Sequence, residues 1–212
     1  MGEIHGEAYA EMREEAHISF VSRDGSRARE YAARFGGGTL DSYAEAIRSP
    51  DIDLIDNCLP DELHVTVTEA AFAAGKHVFV EKPMAMSLAG ADRMLRASRR
   101  AGKHLIVAKN FRFMPHLERA KEFLAEGALG EPFLIEVNHF ESLRPSGWRT
   151  ASQGTAGGTL IDVGHHFVDM AVQLGGPIDW VFAQFAQKTL PDFTGRIQRS
   201  RCSATGVASS GT

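Results

Sequence analysis

The sequence lacks the features of a membrane, disulfide-rich or nucleic-acid-binding protein. It has no apolar run near the roughly 20 residues that span a bilayer, and residues 1–5 carry neither the basic nor the apolar stretch of a signal peptide. Its two cysteines, Cys58 and Cys202, are too few for a disulfide framework. A net charge of −4 gives no global basic field for nucleic acid or an anionic membrane. With 212 residues, 43% of them hydrophobic, the chain is predicted to be a cytosolic globular protein with free thiols.

Strands and helices alternate along the first half of the chain. Apolar spacing predicts helices, and short β-branched or aromatic runs predict strands. The predicted helices are 2–16, a helix capped by Asp24 or Ser26 and stopped by Gly36, 43–48, 63–74 and 87–101. The predicted strands are 17–22, the run around Leu54 and Ile55, 77–80 and 105–108. This alternation implies parallel pairing with right-handed crossovers, and therefore an α/β fold with an open, doubly wound sheet.

The pattern changes beyond Pro115. We expect a helix over 116–126, a long alternating strand over 132–140, a glycine-rich loop, a helix over 165–174 and a strand over 180–185. These elements predict a second, α+β domain. The last residues are rich in Ser, Arg, Gly and Thr without periodicity, which predicts a disordered tail. The predicted boundaries are 1–115, 116–193 and 194–212.

Polar groups follow the predicted strands of the first domain. Ligands of open α/β sheets bind at the carboxyl ends of the strands. Those ends carry Ser22-Arg23, Cys58-Leu59-Pro60, Glu81-Lys82-Pro83 and Asn110-Phe111-Arg112. We therefore expect a ligand site along this edge.

Four local patterns occur in a fixed order: Glu81-Lys82-Pro83 after a strand, Asn110 to Phe113 with Pro115 following, Trp148-Arg149, and the run from Gly157 to Asp169. With them the chain resembles the Gfo/Idh/MocA family, named for glucose-fructose oxidoreductase and inositol dehydrogenase, from Gly2 to about Phe185. The resemblance implies a Rossmann-type domain followed by an α+β domain. It also implies an NAD(P)-dependent oxidoreductase that transfers a hydride between a sugar or polyol secondary alcohol and a nicotinamide cofactor.

Two departures from that family concern the ends of the chain. The family opens with a strand and a G-x-G-x-x-G turn, of which Gly2 matches the last glycine. Family members also extend the second domain into a broad sheet that often forms the oligomer interface. We therefore expect a dinucleotide-binding domain without its first strand and a truncated second domain, with the full-length form a homo-oligomer.

Three residues are candidates for catalysis. Lys82 stands at a strand end, where an ammonium can hold an alcohol oxygen; the alternative is a solvated surface lysine. The resemblance assigns acid/base chemistry to His166, with Asp162 orienting it. Alternatively, Asp162 caps a helix and His166 packs in the core. We treat His165 as structural and Asp169 as a supporting or surface carboxylate.

The resemblance also places the cofactor. Where the family usually carries an acidic residue for the ribose hydroxyls, this chain has Ser22 followed by Arg23, which favours NADP over NAD because a carboxylate would repel a 2′-phosphate. The alternative is an arginine that faces water. The predicted cofactor contacts are Gly2, Ser22, Arg23, Leu59, Pro60, His64, Glu81, Lys82, Asn110, Trp148 and Arg149.

The predicted substrate contacts share a charge or hydrogen-bonding group aimed at sugar oxygens. They are Lys82, Arg112, Arg149, Asp162 and His166. Other interpretations stay open for three residues: helix capping by Asn110, a surface ion pair by Arg112, and core packing of Trp148. No residue is assigned as a metal ligand.

Two rival functions use the same residues differently. A metal-dependent hydrolase could use Asp162, His165, His166 and Asp169. It would give Glu81-Lys82-Pro83 no role, and the H-E-x-x-H helix motif is absent from the sequence. A non-catalytic or regulatory homologue would keep the family's sequence without turnover.

Overall fold

The structure is a computed structural model that describes residues 1–139, 160–187 and 198–203. It divides into two compact units, Met1–Ala108 and Lys109–Thr212, so the first unit ends seven residues before the predicted boundary at 115. Across these described residues, no helix is long and apolar enough to cross a membrane.

The first unit alternates helices and strands, which confirms the predicted α/β class. Its helices are α1 (Gly2–Glu11), α2 (Gly25–Phe35), α3 (Tyr43–Arg48), α4 (His64–Ala73) and α5 (Leu88–Ala101). Its strands are β1 (Ser19–Phe20), β2 (Gly38–Thr39), β3 (Leu54–Asn57), β4 (His77–Val80) and β5 (Leu105–Val107). A short 3₁₀ turn, Asp61–Leu63, leads into α4.

All strand pairs of the first unit are parallel. β1 pairs with β2, and β4 lies between β3 and β5. Asn57 is opposite Val80, and Val80 is opposite Val107. The three strands of the second sheet therefore end level with one another, and the residues that follow β3 and β4 emerge side by side.

Local side-chain chemistry sets the ends of the helices. The Asp24 carboxylate accepts a hydrogen bond from the Ser26 amide at 2.9 Å and starts α2, and the Ser87 hydroxyl accepts from the Gly90 amide at 3.1 Å and starts α5. These bonds satisfy amides that have no partner in the first helical turn. Gly102 ends α5 with φ of 62°, a left-handed conformation that glycine adopts without a Cβ clash.

The core of the first unit lies between the β3–β4–β5 sheet and helices α4 and α5. Val78, Val80, Ala71 and Met94 are completely buried there. α1 packs separately against α2, at a point where a Cβ on Gly6 would lie 2.7 Å from the Phe35 ring. The absence of a side chain at this position lets α1 approach α2 closely.

Within its described residues, the second unit has two helices, α6 (Pro115–Ala125) and α7 (His165–Gly175), and an antiparallel pair, β6 (Phe182–Gln187) and β7 (Gln198–Ser203). A 3₁₀ turn over Asn110–Phe113 precedes α6, and a π-helical turn over Leu160–Gly164 precedes α7. Both helices start and end within a residue or so of their predicted bounds.

Two predictions for the second unit differ from the structure. Residues 132–139, expected in a strand, have no assigned helix or strand, because alternation forms a strand only where a neighbouring strand supplies hydrogen bonds. Conversely, Gln198–Ser203 form β7 inside the segment expected to be a disordered tail. Pairing with β6 satisfies its backbone groups despite the polar sequence.

Candidate active site

The residues after β3 and after β4 meet at one edge of the sheet. The Glu81 amide donates to the Asn57 carbonyl at 3.1 Å, which extends the pairing of these strands by one residue. Leu59-Pro60 therefore follows one strand while Glu81, Lys82 and Pro83 follow its neighbour. The structure thus brings together two of the four segments expected to form the ligand site.

His64 ties these two segments to each other. It is completely buried at the start of α4, with Nδ1 2.8 Å from the Pro83 carbonyl oxygen and Nε2 2.8 Å from the Leu59 carbonyl oxygen. The buried side-chain amide of Asn57 donates a hydrogen bond to the His64 main-chain carbonyl at 3.2 Å. Both ring nitrogens face main-chain oxygens, so His64 shapes the turn expected beside the cofactor.

Glu81 anchors the main chain of Lys82. Its side chain is buried, and its Oε2 accepts a hydrogen bond from the Lys82 amide at 2.9 Å. Burial alone would raise the pKa of Glu81, but the hydrogen bonds from His5 and from the Lys82 amide outweigh it and the pKa is lowered. Glu81 is therefore held as a carboxylate beneath the Lys82 segment.

Sequence reasoning missed the histidine below Glu81. His5 on α1 has Nδ1 2.8 Å from Asp56 Oδ2 and Nε2 3.1 Å from Glu81 Oε1. The Tyr9 hydroxyl donates to the same Asp56 oxygen at 2.9 Å, and Cys58 Sγ lies 3.3 Å from His5 Nδ1. A carboxylate at position 56, inside the apolar run of β3, was the signal that a buried partner exists.

These partners change the protonation of the cluster. The hydrogen bond to Asp56, then those to Cys58 and Glu81, raise the pKa of His5 to about 12, although burial opposes them. Burial raises the pKa of the Cys58 thiol, and burial together with the Asp56 charge raises the pKa of Tyr9. These contacts favour the protonated form of His5. His5, Asp56 and Cys58 also place three potential ligand atoms within 4.8 Å of one another.

The positions predicted to read the cofactor's ribose and phosphates lie at the ends of β1 and α1. Ser22 and Arg23 follow β1; the Ser22 hydroxyl accepts from the Asp24 amide at 3.3 Å, and Arg23 is exposed. Gly2 is the first residue of α1. An exposed guanidinium and the amide end of a helix both suit an anionic group.

In the second unit, His166 is buried and stacked. Its ring lies 4.1 Å from that of Phe111, at an angle of 16°. The neighbouring His165 has Nδ1 3.4 Å from Lys109 Nζ, and its carbonyl accepts from the same ammonium at 3.4 Å. Burial, with some help from the Arg112 charge, lowers the pKa of Lys109. Lys109 was not predicted as part of this region.

Three further candidates, Asp162, Arg112 and Asn110, lie in the turns that precede α7 and α6. Asp162 lies in the π-helical turn before α7, whose N-cap residue is Gly164. Arg112 forms an ion pair with Asp169, with Nε at 2.8 Å and Nη2 at 2.6 Å from its two oxygens, and this contact lowers the pKa of Asp169. Asn110 is the first residue of the 3₁₀ turn, and Lys109 is the N-cap residue of that turn. Trp148 and Arg149 lie outside the described residues.

Comparison with known proteins supplies the family. Residues 1–109 match the family described as "Oxidoreductase family, NAD-binding Rossmann fold", and residues 117–207 match the "GFO/IDH/MocA C-terminal domain". The chain belongs to the GFO/IDH/MocA oxidoreductase family. This membership confirms the predicted resemblance and the Rossmann-type fold. The first matched stretch ends one residue beyond the first compact unit.

Relatives of this GFO/IDH/MocA protein include several sugar-converting enzymes. The chain is 35% identical over 155 residues to 1,5-anhydro-D-fructose reductase of Ensifer adhaerens, covering 72% of this chain and 46% of that protein. It is 32% identical over 162 residues to levoglucosan dehydrogenase of Pseudarthrobacter phenanthrenivorans, covering 74% and 42%. The chain therefore spans less than half the length of these two relatives.

Solved structures of the family show the same fold. A levoglucosan dehydrogenase in complex with NADH and levoglucosan superposes with a TM-score of 0.75 at 28% identity. The match covers 89% of this chain and 55% of that one. The described helices and strands therefore adopt the fold of the matched part of that structure.

Proposed function

We propose that the protein transfers a hydride between a secondary alcohol of a sugar or polyol and a nicotinamide cofactor. The observation that carries this proposal is the fixed position of Lys82 at the carboxyl end of β4. Glu81 holds the Lys82 amide, and His64 contacts the carbonyl of Pro83, so the main chain is held on both sides of the lysine. A functional group that must meet a reacting atom needs such support.

The reaction needs a base and a positive charge. Oxidation of a secondary alcohol removes a hydride from carbon and a proton from oxygen, and the nicotinamide, when bound, accepts the hydride. In this proposal the Lys82 ammonium stabilises negative charge on the alcohol oxygen. His166 takes the proton at its imidazole, and Asp162, four residues earlier, orients the substrate or His166. Arg112 and Arg149 are the further substrate contacts in the proposal, and Arg112 is also paired with Asp169 on α7.

We propose NADP as the cofactor, with NAD as the alternative. The support is chemical. Ser22 and Arg23 replace the acidic residue that the family usually has at this position, and that residue would repel a 2′-phosphate. The amino end of α1, with its free amides, suits the diphosphate. A structurally similar levoglucosan dehydrogenase binds NADH, so the preference needs a direct test. The further cofactor contacts in the proposal are Gly2, Leu59, Pro60, His64, Glu81, Lys82, Asn110, Trp148 and Arg149.

Fluorescence titration of the chain with NADPH and with NADH tests the preference. Arg23→Ala is expected to weaken NADPH binding about 10-fold or more, since a hydrogen bond to a charged group contributes about 1.5–3 kcal/mol. NADH binding should change little. Arg96→Ala, which removes an exposed arginine of α5, is the matched control. NADH binding as tight as NADPH binding would contradict the preference.

The reaction itself is tested with a panel of sugars and polyols that includes levoglucosan and 1,5-anhydro-D-fructose, the compounds in its relatives' names. Lys82→Ala is expected to lower kcat by about 100-fold or more. Lys103→Ala is the matched control, because Lys103 precedes β5 and lies at the opposite edge of the sheet. Self-association of the protein stays a prediction that analytical ultracentrifugation can test.

A further inference from the structure

His5 connects two neighbouring strand ends of the first unit. Its ring lies between Asp56, on β3, and Glu81, directly after β4, and it is stacked on Phe79 with ring centres 5.4 Å apart. The side chains of His5, Asp56 and Glu81 are 13%, 18% and 6% exposed. The contact is therefore largely screened from water. Hydrogen bonds between charged groups are stronger in such a screened environment than in water.

Without a cation between them, the carboxylates of Asp56 and Glu81 would repel each other. Parallel pairing puts Asp56 opposite Phe79, and Glu81 follows two residues later, so the strands bring both acids to one place. Among the described residues, the Cys58 thiol also contacts His5, and the Tyr9 hydroxyl donates to Asp56. Among these contacts, protonated His5 is the cation that lies next to both carboxylates. The raised pKa of His5 agrees with this arrangement.

The Glu81 carboxylate connects His5 to the main chain of Lys82. One of its oxygens meets His5, and the other accepts the hydrogen bond from the Lys82 amide. A carboxylate held at both oxygens has a fixed orientation, and the peptide group that it binds is fixed with it. His64 holds the carbonyl of Pro83 independently, on the far side of Lys82.

We propose that His5 is a positioning residue for the reaction: by bridging Asp56 and Glu81 it fixes the carboxylate that holds the main chain of Lys82. This inference rests on the proposed role of Lys82. It assigns His5 no contact with substrate or cofactor. Its replacement should therefore lower kcat more than it changes KM or the cofactor Kd.

A divalent cation bound by His5, Asp56 and Cys58 is the competing use of the same atoms. A metal requires a neutral imidazole and a thiolate. The structure instead has His5 between two hydrogen-bond acceptors, and burial raises the pKa of the Cys58 thiol. We therefore infer the hydrogen-bonded bridge and leave metal binding as a result that would overturn it.

Hydrogen exchange of the Lys82 amide tests the bridge without reference to turnover. In His5→Gln this amide should exchange at least about tenfold faster than in the parent, because the carboxylate that protects it is released. His77→Gln is the matched histidine control, because His77 lies at the amino end of β4, the strand that leads to Lys82. This variant should leave the exchange rate of the Lys82 amide unchanged. An unchanged rate in His5→Gln overturns the proposal, as does Zn²⁺ binding at micromolar concentration that is lost in the same variant.

Turnover separates this inference from the proposed function. His5→Gln is expected to lower kcat about 10-fold or more, with KM and the cofactor Kd within threefold, and the double variant with Glu81→Gln should lose no more than Glu81→Gln alone. If Lys82→Ala retains the parent's turnover, the proposed function fails, whereas the exchange result still decides whether the bridge exists. If Lys82→Ala is inactive and His5→Gln is not impaired, the positioning role is overturned.

Discussion

Replacement of Gly6 by alanine tests whether α1 depends on its close approach to α2. A Cβ at this position would lie 2.7, 3.0 and 3.2 Å from three atoms of the Phe35 ring. Contacts below 3 Å force a movement, and the Phe35 ring cannot easily yield because it is 4% exposed and packs against Phe20 and Tyr31.

The size of the effect follows from two opposing terms. Overpacking of a dense core costs about 1–3 kcal/mol, while alanine in place of glycine in a helix gains about 1 kcal/mol. Because the Phe35 ring is confined, we take about 2–3 kcal/mol for overpacking and expect a net loss of about 1–2 kcal/mol in the free energy of unfolding. For a unit of this size the thermal midpoint should fall by about 4 °C or more.

Thermal and urea unfolding, followed by circular dichroism, measure this loss. Gly2→Ala is the matched control on the same helix, because its Cβ would meet the Tyr31 ring at an ordinary 3.8 Å. The Gly6 variant should also increase exchange of the Lys82 amide, since the displaced α1 carries His5. A midpoint for Gly6→Ala equal to or above that of the parent would refute the packing argument.

Three further predictions concern charge and capping. The raised pKa of His5 contributes stability that is fully present below its ordinary value near 6.5 and is lost as pH rises toward 12. The advantage of the parent over His5→Gln in the free energy of unfolding should therefore shrink by up to about 1.4 kcal/mol per pH unit between pH 7 and 10, as urea titrations would show. Arg112→Ala should raise the pKa of Asp169 in a carboxyl NMR titration and cost less than about 1 kcal/mol, because the arginine is half exposed; an unshifted titration would refute the pair. Ser87→Ala should cost about 1 kcal/mol in urea unfolding and Ser87→Thr little, since only the first removes the cap of α5; equal losses would contradict the capping role.

Much of the first unit could be predicted because its signals are local. The bounds of α3 and β4 agree with those predicted from apolar spacing and β-branched runs, and Ser87 and Gly102 mark the ends of α5 as expected. Each of these depends on residues only a few positions apart. Agreement was poorer where pairing decides the structure, as in residues 132–139 and in β7.

The candidate site divides in the same way. The carboxyl ends of the strands were predictable, and they led to Glu81, Lys82 and His64. The partner of Glu81 was not, because His5 lies 76 residues away along the chain and reaches it only through the packing of α1. Helical spacing of His5 and Tyr9 together with an acidic residue inside β3 is the pattern that predicts such a cluster in other sequences.

The central claim is that Lys82 supports hydride transfer, and a comparison of kcat between parent and Lys82→Ala tests it most directly. The assay follows NADPH and NADH formation or consumption across the sugar and polyol panel, with circular dichroism to verify the fold and cofactor titration to verify binding. A fall of about 100-fold or more in kcat, measured at saturating cofactor, is the predicted result. Turnover of the folded variant within about threefold of the parent would contradict the claim.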